Sequence, residues 1–289
     1  MVGNGRWSTR FILGRASCTC GNSRRARRNT SDDSVDGARE RIADYTVILM
    51  ATPILAPEKE PTLHVMLTAI LRIYMRLYHR MDVEIHPESP KKPPYIALTS
   101  HFSMLDPLAL IAMDPFTPKS TTVCKASLFD LQVLGGIMRS RGIVPVSRDG
   151  RDIGPLRNLL SALKYNRGIC LAAEGRRSRT GRLGPINRVV VKLAARAARG
   201  GIPVFPVAVI GTFESLPPGS RWPRPRKLSG VVGKPIDLQR WKTGGKGEQD
   251  LAELARVLQE SIAALLPSDN RPAADTPALA LPAIDNFDA

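Results

Sequence analysis

The chain has 289 residues, of which 43% are hydrophobic, so it can bury a core of ordinary size and is not disordered throughout. Its formal net charge of +16 indicates a polyanionic partner, such as a nucleic acid, an anionic membrane surface or a phosphorylated substrate. The four cysteines form neither a disulfide framework nor a paired zinc motif. No window holds ~20 uncharged apolar residues, which excludes a clear single-span helix.

Residues 1–40 are rich in arginine and serine, with seven arginines and no acidic residue before Asp32. This composition resembles that of an organellar transit peptide. A disordered basic arm or an overextended start explains it better, because the segment has no sustained amphipathic period.

Residues 41–82 form an apolar and amphipathic segment that we expect to be helical. Its apolar side chains step by three and four positions, as one stripe of a helix does. The stripe contains Leu63, Met66, Leu67, Ile70, Tyr74, Leu77 and Tyr78. Such a helix either packs on the core or lies in a membrane interface, and periodicity alone favours the core.

Short β-rich runs alternate with helical stretches from residue 94 onward. The strands are expected at 95–99, 121–124, 142–147, 169–173, 203–210 and 228–232. The helices are expected at 107–112, 128–139, 155–165, 189–199 and 251–266. This alternation predicts an α/β fold with a mostly parallel sheet flanked by helices. We place this domain at 83–266 and a disordered tail, rich in proline, alanine and aspartate, at 267–289.

A histidine and an aspartate follow the first expected strand, in the run S-H-F-S-M-L-D-P at 100–107. Ligands of open α/β sheets bind beyond the carboxyl ends of strands, where His101 lies. Asp106 can hold one imidazole nitrogen and leave the other as a base near neutral pH. The alternative is that Asp106 only caps the helix that begins at Pro107 and that His101 is a loop residue.

Three further strand ends carry basic or glycine-rich sequence. Arg148 ends the run G-I-V-P-V-S-R, and E-G-R-R-S-R-T-G-R follows the strand at 169–173. Glycines let a backbone approach a ligand closely, and guanidinium groups pair well with phosphate. An apolar strand with two prolines, Pro203 and Pro206, completes the series. Taken singly, each is equally an ordinary surface turn or buried strand.

In order and spacing, the four runs resemble the motifs of the glycerophospholipid acyltransferase family. The resemblance covers about 61–235, although Ser100 replaces the usual asparagine and Ala172-Ala173 replaces phenylalanine and proline. It implies that His101 is the general base and that Asp106 orients it. It also implies a substrate-binding set made of Arg148, Glu174, Gly175, Arg177 and Ser178, with the two arginines on the phosphate of the acceptor.

The implied activity is transfer of a fatty acyl group from acyl-CoA or acyl carrier protein to 1-acyl-glycerol-3-phosphate, which gives phosphatidic acid without a metal or cofactor. Such a lipid substrate favours the membrane interpretation of the helix at 63–80. We therefore expect a peripheral or monotopic protein on an anionic membrane surface, at the cytoplasmic face of the cell membrane. Organellar targeting by residues 1–40 remains an alternative.

Two other functions compete. The run E-G-R-R-S-R-T-G-R also resembles a motif of glycerol-3-phosphate acyltransferases, so glycerol 3-phosphate or another lyso-lipid is an alternative acceptor. A nucleic-acid-binding protein would explain the charge, but no recognition motif is present and aromatic residues make up only 5% of the chain. We therefore expect no nucleic-acid partner.

Overall fold

The computed structural model describes residues 62–113, 120–130, 135–136, 138–139, 142–146, 154–243 and 247–280. The expected arm at 1–40, Arg148 and the last nine residues of the expected tail lie outside these ranges. So do residues 131–134 and 137 of the expected helix at 128–139 and residues 41–61 of the amphipathic segment.

Helices and strands alternate as the sequence predicts. The helices are α1 (Thr62–Tyr78), α2 (Asp106–Ala112), α3 (Gly154–Lys164), α4 (Arg188–Arg199), α5 (Thr212–Ser215) and α6 (Glu248–Ala263). The strands are β1 (Asp82–Ile85), β2 (Tyr95–Thr99), β3 (Ser120–Thr121), β4 (Val123–Lys125), β5 (Val144–Val146), β6 (Gly168–Ala172), β7 (Val204–Ile210) and β8 (Ser229–Val232). Short 3-10 helices lie at Ala126–Leu128, Gln239–Trp241 and Ser268–Asn270.

The main sheet has the strand order β1-β8-β7-β2-β6-β3, and a separate pair joins β4 to β5. All neighbouring strands are parallel except β7 and β8, so the expected α/β architecture with a mostly parallel sheet is confirmed. Since β2, β6 and β7 run in the same direction, their carboxyl ends meet at one edge of the sheet. The chain segments that follow these three strands therefore converge, and they carry the candidate site.

Strand β2 lies in the middle of the sheet, and all five of its residues are buried. Its alternate side chains serve two cores, as the period of a strand requires. Ile96 and Leu98 belong to the cluster that contains α4 and α6 side chains, whereas Tyr95 and Ala97 belong to the cluster that contains α2. A strand covered by helices on both faces is continuously apolar, which explains the strong β2 signal in the sequence.

Helix α1 turns its apolar stripe outward. Met75 is buried with Leu105 and Leu228, and Tyr74 packs against this small cluster. Ile70 and Leu77, which the sequence places on the stripe, have 55% and 75% of their surface exposed. The packed face and the hydrophobic stripe of α1 are therefore largely different faces. In the part of the chain that the structure describes, none of the helices has the length and hydrophobicity that crossing a bilayer requires.

The prediction of a disordered tail is wrong for residues 267–280. Asn270 is buried, its side chain donates to the carbonyl of Gly181, and its own carbonyl accepts from the amide of Leu183. The amide of Ile186 donates to Ala278, and the amide of Ala280 donates back to Ile186. These contacts are made by main-chain groups and one asparagine, so hydrophobic periodicity could not reveal them.

The expected domain start is also displaced by one residue, because β1 begins at Asp82 and pairs in parallel with β8. This strand was not predicted. All four of its residues are exposed, and it contains two acids, so it lacks the apolar signal of a buried strand. The expected strand at 121–124 is likewise two short strands, β3 and β4, in different sheets.

Candidate active site

A histidine and an aspartate meet in the loop that follows β2. The Nδ1 atom of His101 lies 2.8 Å from Oδ2 of Asp106. The carboxylate accepts, so Nδ1 carries the proton and the lone pair of the neutral ring lies on Nε2. The imidazole is 22% exposed while the aspartate is almost fully buried, so the ring reaches solvent from a fixed position.

Asp106 is the anchor of this loop. Its Oδ2 also accepts the amides of Phe102 and Ser103, at 2.7 and 2.8 Å, and its Oδ1 accepts the hydroxyl of Thr212 at 2.5 Å. Asp106 is the first residue of α2 and does not cap the helix, which corrects the alternative interpretation from the sequence. The carboxylate instead accepts hydrogen bonds from the loop residues that precede α2, and so fixes the conformation of the loop that carries His101.

The short side chains of the loop hold it in place. The hydroxyl of Ser103, which is buried, donates to the carbonyl of Leu216 at 2.8 Å. Its oxygen also accepts the amide of Leu105. Ser103 thus bonds the loop both to the residue before α2 and to the segment that follows β7. These bonds restrict the movement of the loop that carries the imidazole.

Glu174 joins the His101 loop to a third segment. It follows β6 and is buried, and its Oε2 accepts the amide of His101 at 3.1 Å. Its Oε1 accepts the amide of Gly184 at 2.7 Å. Both oxygens of Glu174, which the resemblance assigns to the substrate-binding set, are therefore engaged by main-chain donors.

The environment of Glu174 changes its protonation. Burial raises the pKa of this carboxyl to about 7, against the lowering effect of the amides of Gly184 and His101. A carboxyl with such a pKa changes charge near neutral pH. The charge on the link between the two loops therefore changes as the pH passes through about 7.

The glycine-rich loop after β6 lies against the same histidine. Gly175 has a positive φ of 72°, which glycine adopts without strain. The amide of Ser178 donates to the carbonyl of His101 at 2.7 Å, and its hydroxyl donates to the carbonyl of Arg182 at 2.8 Å. Ser178 therefore shapes the loop, and its hydroxyl is already used within it.

Arg177 precedes Ser178 and is exposed. Its position next to a residue bonded to the His101 backbone places it beside the dyad, and no carboxylate among the described residues pairs with it. The structure thus brings together His101, Asp106, Glu174 and the loop 175–178. Arg148, the remaining predicted site residue, lies outside the described residues.

Two residues that sequence reasoning missed belong to this network. Thr212 holds the second oxygen of Asp106, and Gly184 donates to Glu174. The first had a signal, because Thr212 follows the carboxyl end of β7, where ligands of such sheets bind. Gly184 had none, since it lies in an irregular loop. Within the described ranges, no group of three or more potential metal-binding side chains is gathered in one place.

Known proteins resemble this chain over its central part. The Acyltransferase family model matches residues 80–210. The 1-acyl-sn-glycerol-3-phosphate acyltransferase BAT2, chloroplastic, of Brassica napus is 29% identical over 146 residues, which are 50% of this chain and 41% of the relative. The corresponding LPAT1 of Arabidopsis thaliana is 27% identical over 146 residues, which are 50% of this chain and 39% of the relative.

A solved structure shares the fold. The crystal structure of the 1-acyl-sn-glycerophosphate (LPA) acyltransferase PlsC from Thermotoga maritima aligns with a TM-score of 0.52 and 19% identity, over 80% of this chain and 93% of that chain. The present chain spans less than half the length of the two plant relatives. The match nevertheless contains the His101 and Asp106 loop, the Glu174 segment and β7. Residues 80–210 therefore resemble an acyltransferase domain in sequence, and the chain shares its fold with a solved acyltransferase.

Proposed function

We propose that this protein transfers a fatty acyl group from acyl-CoA or acyl carrier protein to the free hydroxyl of 1-acyl-glycerol-3-phosphate, which yields phosphatidic acid. The observation that carries the proposal is the His101 and Asp106 pair, with Nδ1 held at 2.8 Å. The names of the two plant relatives support lysophosphatidate as the acceptor.

The chemistry follows from the orientation of the ring. Nε2 of His101 removes the proton of the acceptor hydroxyl, and the oxygen attacks the carbonyl carbon of the thioester. The carbon–sulfur bond then breaks, and the imidazolium returns its proton to the leaving thiolate. The carboxylate of Asp106 stabilises the transient positive charge of the ring, as an aspartate does in other histidine-based sites.

The acceptor phosphate needs a cationic partner near the dyad. Arg177 is exposed, lies beside the loop bonded to His101, and carries a guanidinium fork that suits a phosphate. We assign it to this phosphate together with Arg148. Glu174 and Ser178 act indirectly, because their polar side-chain atoms are bonded to the protein itself.

The exposed stripe of α1 supports a position on the membrane. Such side chains bury apolar area in the headgroup region of a bilayer, and the positive charge of the chain attracts anionic lipids. We propose that α1 lies in the interface plane and that the protein is peripheral or monotopic at the cytoplasmic face. Replacing Met66, Ile70 and Leu77 with serine should abolish flotation with anionic vesicles. Serine at Tyr165 and Val189, which are also exposed, is the matched control.

The function is tested by radiolabelled acyl transfer in mixed detergent micelles. Oleoyl-CoA is offered with lysophosphatidate or with glycerol 3-phosphate, and His101→Ala is compared with wild type. We expect labelled phosphatidic acid from lysophosphatidate and a loss of ~10²–10⁴-fold in kcat for the variant, which is the usual contribution of a positioned base. If the protein acylates only glycerol 3-phosphate, that compound and not lysophosphatidate is the acceptor. Normal turnover by His101→Ala would refute the assignment of His101 as the base.

A further inference from the structure

We propose that residues 221–227, here called the basic loop, bind the surface of an anionic bilayer beside α1. The inference rests on the proposed membrane function and adds a second contact to it, one that supplies the preference for anionic lipids. The basic loop lies between α5 and β8 and takes no part in the dyad.

The composition of the basic loop suits a lipid headgroup layer. It reads R-W-P-R-P-R-K, with four cations and no acid. All of these charged side chains are exposed, and Trp222 has 81% of its surface exposed. Tryptophan is enriched at the level of the headgroups, where its ring meets hydrocarbon while its N–H stays in water.

The charges of the basic loop are available to an outside partner. Lys227 pairs with Asp82 at 3.0 Å, across the surface. Within the described ranges, Arg221, Arg224 and Arg226 have no carboxylate partner, which leaves three guanidinium groups for phosphate headgroups.

The basic loop is fastened to the end of α1. The hydroxyl of Tyr78 donates to the carbonyl of Pro223 at 2.9 Å, and Nδ1 of His79 donates to the carbonyl of Arg226 at 3.2 Å. The amide of Leu228 donates to the carbonyl of His79 at 3.1 Å. His79 is fully buried, and burial lowers the pKa of its imidazole, so the ring stays neutral in this contact. The basic loop therefore continues the exposed surface of α1.

The basic loop is also linked to the active site, through Arg224 and helix α5. The amide of Arg224 donates to the carbonyl of Ser215, whose hydroxyl donates back to Arg224. Ser215 belongs to α5, whose first residue, Thr212, bonds to Asp106. A bilayer bound by the basic loop is thus connected to the dyad through two short steps, as an enzyme with a lipid acceptor requires.

Continuity with α1 distinguishes a bilayer from a nucleic acid as the partner. A nucleic acid would use the arginines but not the apolar residues next to them, and the basic loop offers one tryptophan for stacking. A bilayer uses both, with arginines on the headgroups and Trp222 and Leu77 below them.

The first test is flotation of the full chain with vesicles of phosphatidylcholine alone or with one third phosphatidylglycerol. Because each cation near an anionic surface contributes about fivefold in affinity, Arg221/Arg224/Arg226→Gln should weaken binding to the anionic vesicles by about 100-fold. Trp222→Ala should weaken binding by about tenfold through lost apolar burial. The matched control, Lys192/Arg196/Arg199→Gln, removes the same charge from exposed positions of α4 and should bind nearly as wild type does.

A second measurement detects the contact of Trp222 with the bilayer directly and does not depend on a change in binding affinity. The chain has three tryptophans, Trp7, Trp222 and Trp241, and Trp241 is buried. In a Trp7→Phe background, vesicles with brominated acyl chains should quench the fluorescence of Trp222. The same vesicles should not quench the double variant Trp7→Phe/Trp222→Phe.

The outcomes separate this inference from the proposed function. Quenching of Trp222 together with loss of anionic binding in the loop variants, but not in the α4 variant, supports the basic loop. The inference is overturned if the loop variants bind anionic vesicles as wild type does, or if the α4 variant loses as much binding as they do. It is also overturned if the loop variants lose binding to duplex DNA but keep their binding to vesicles. Acyl transfer in detergent micelles needs no bilayer, so its absence in wild type would refute the proposed function without changing the vesicle result.

Discussion

Asp106 receives four hydrogen bonds, and only one of them comes from the histidine that it orients. The donor that can be removed without disturbing the backbone is the hydroxyl of Thr212. Valine at this position keeps the shape of the side chain and leaves Oδ1 of the buried carboxylate without this donor. A hydrogen bond to a charged group contributes ~1.5–3 kcal/mol, so we expect Thr212→Val to lower kcat by about 10- to 100-fold with little change in KM.

Thr212 is a positioning residue, because it acts on the imidazole through Asp106. Thr212→Ser keeps the hydroxyl and should restore most of the turnover. The measurement is acyl transfer in mixed micelles with saturating thioester. A rise in KM at unchanged kcat, or an equal loss in the serine variant, would contradict this role.

Arg177 is expected to act on binding and not on proton transfer. Removing a guanidinium from a phosphate costs a charge-assisted hydrogen bond, so Arg177→Ala should raise the KM for lysophosphatidate by about tenfold or more. The KM for the thioester should change little. Arg199→Ala at the exposed end of α4 is the control. Equal effects on both substrates would remove Arg177 from the phosphate site.

The raised pKa of Glu174 leads us to expect that the free energy of unfolding depends on pH. The pKa of its carboxyl is about 7 in the folded chain, above its ordinary value of 4.5, because burial disfavours the charged form. The folded state therefore holds the proton more tightly than the unfolded state does. The resulting stabilisation is complete below the ordinary value and is lost as the pH rises through about 7, and it amounts to a few kcal/mol.

Glu174→Gln removes this titration. Urea unfolding at a series of pH values between about 4.5 and 8 should show wild type losing stability relative to the variant as the pH rises. The hydrogen bond that the variant loses, because one amide oxygen replaces two carboxylate acceptors, lowers its own stability by an amount that does not depend on pH, so only wild type changes through this group as the pH rises. Parallel curves for the two proteins would show that Glu174 titrates outside this range.

At the scale of elements, the start of α4 depends on the glycine loop beside it. The side-chain oxygen of Asn187 accepts the amide of Val189 at 2.8 Å and so caps α4, while the backbone amide of Asn187 donates to the carbonyl of Ala173. A Cβ added at Gly175 would lie 2.8 Å from Nδ2 of Asn187. Gly175→Ala should therefore strain the loop and displace the cap, at a cost of about 1–3 kcal/mol in the free energy of unfolding.

Gly200→Ala is the matched control for this prediction. Gly200 has a negative φ, and a Cβ there meets its neighbours at ordinary contact distances of 3.5 Å or more. Thermal unfolding followed by circular dichroism measures both variants. If Gly200→Ala destabilised the chain as much as Gly175→Ala, the contact with Asn187 would not be the cause.

The elements that the sequence predicted well are those that face apolar neighbours. Strand β2 and helix α4 show the periods that burial imposes, and their bounds agree with the expected ones to within one residue. Strand β1 is exposed throughout, and its pairing with β8 gives no sequence signal. Strand, loop and helix signals placed His101 and Asp106 in one short loop, and the resemblance to acyltransferase motifs favoured their contact over a simple helix cap. The bond from Thr212, 106 positions away, depends on the order of strands in the sheet.

At the scale of the whole molecule, the segment 267–280 completes the domain. It bonds to Gly181, Leu183 and Ile186, which flank Gly184, the donor to Glu174. Three hydrogen bonds in series thus link the C-terminal segment, through Gly184 and Glu174, to the amide of His101. A chain that ends at Leu266 loses these bonds together with the bridge between Ile186 and Leu279.

We expect truncation after Leu266 to lower both stability and turnover. Each buried hydrogen bond contributes ~1 kcal/mol, and the segment makes several of them, so the free energy of unfolding should fall by a few kcal/mol. Turnover should fall as well, because the loop that carries Gly184 loses the support that keeps Glu174 in place. Urea unfolding and micelle-based acyl transfer measure the two effects. A chain that ends at Ala280 keeps every described bond of the segment and is the matched control. Equal behaviour of the two truncated chains would mean that residues 267–280 do not support the site.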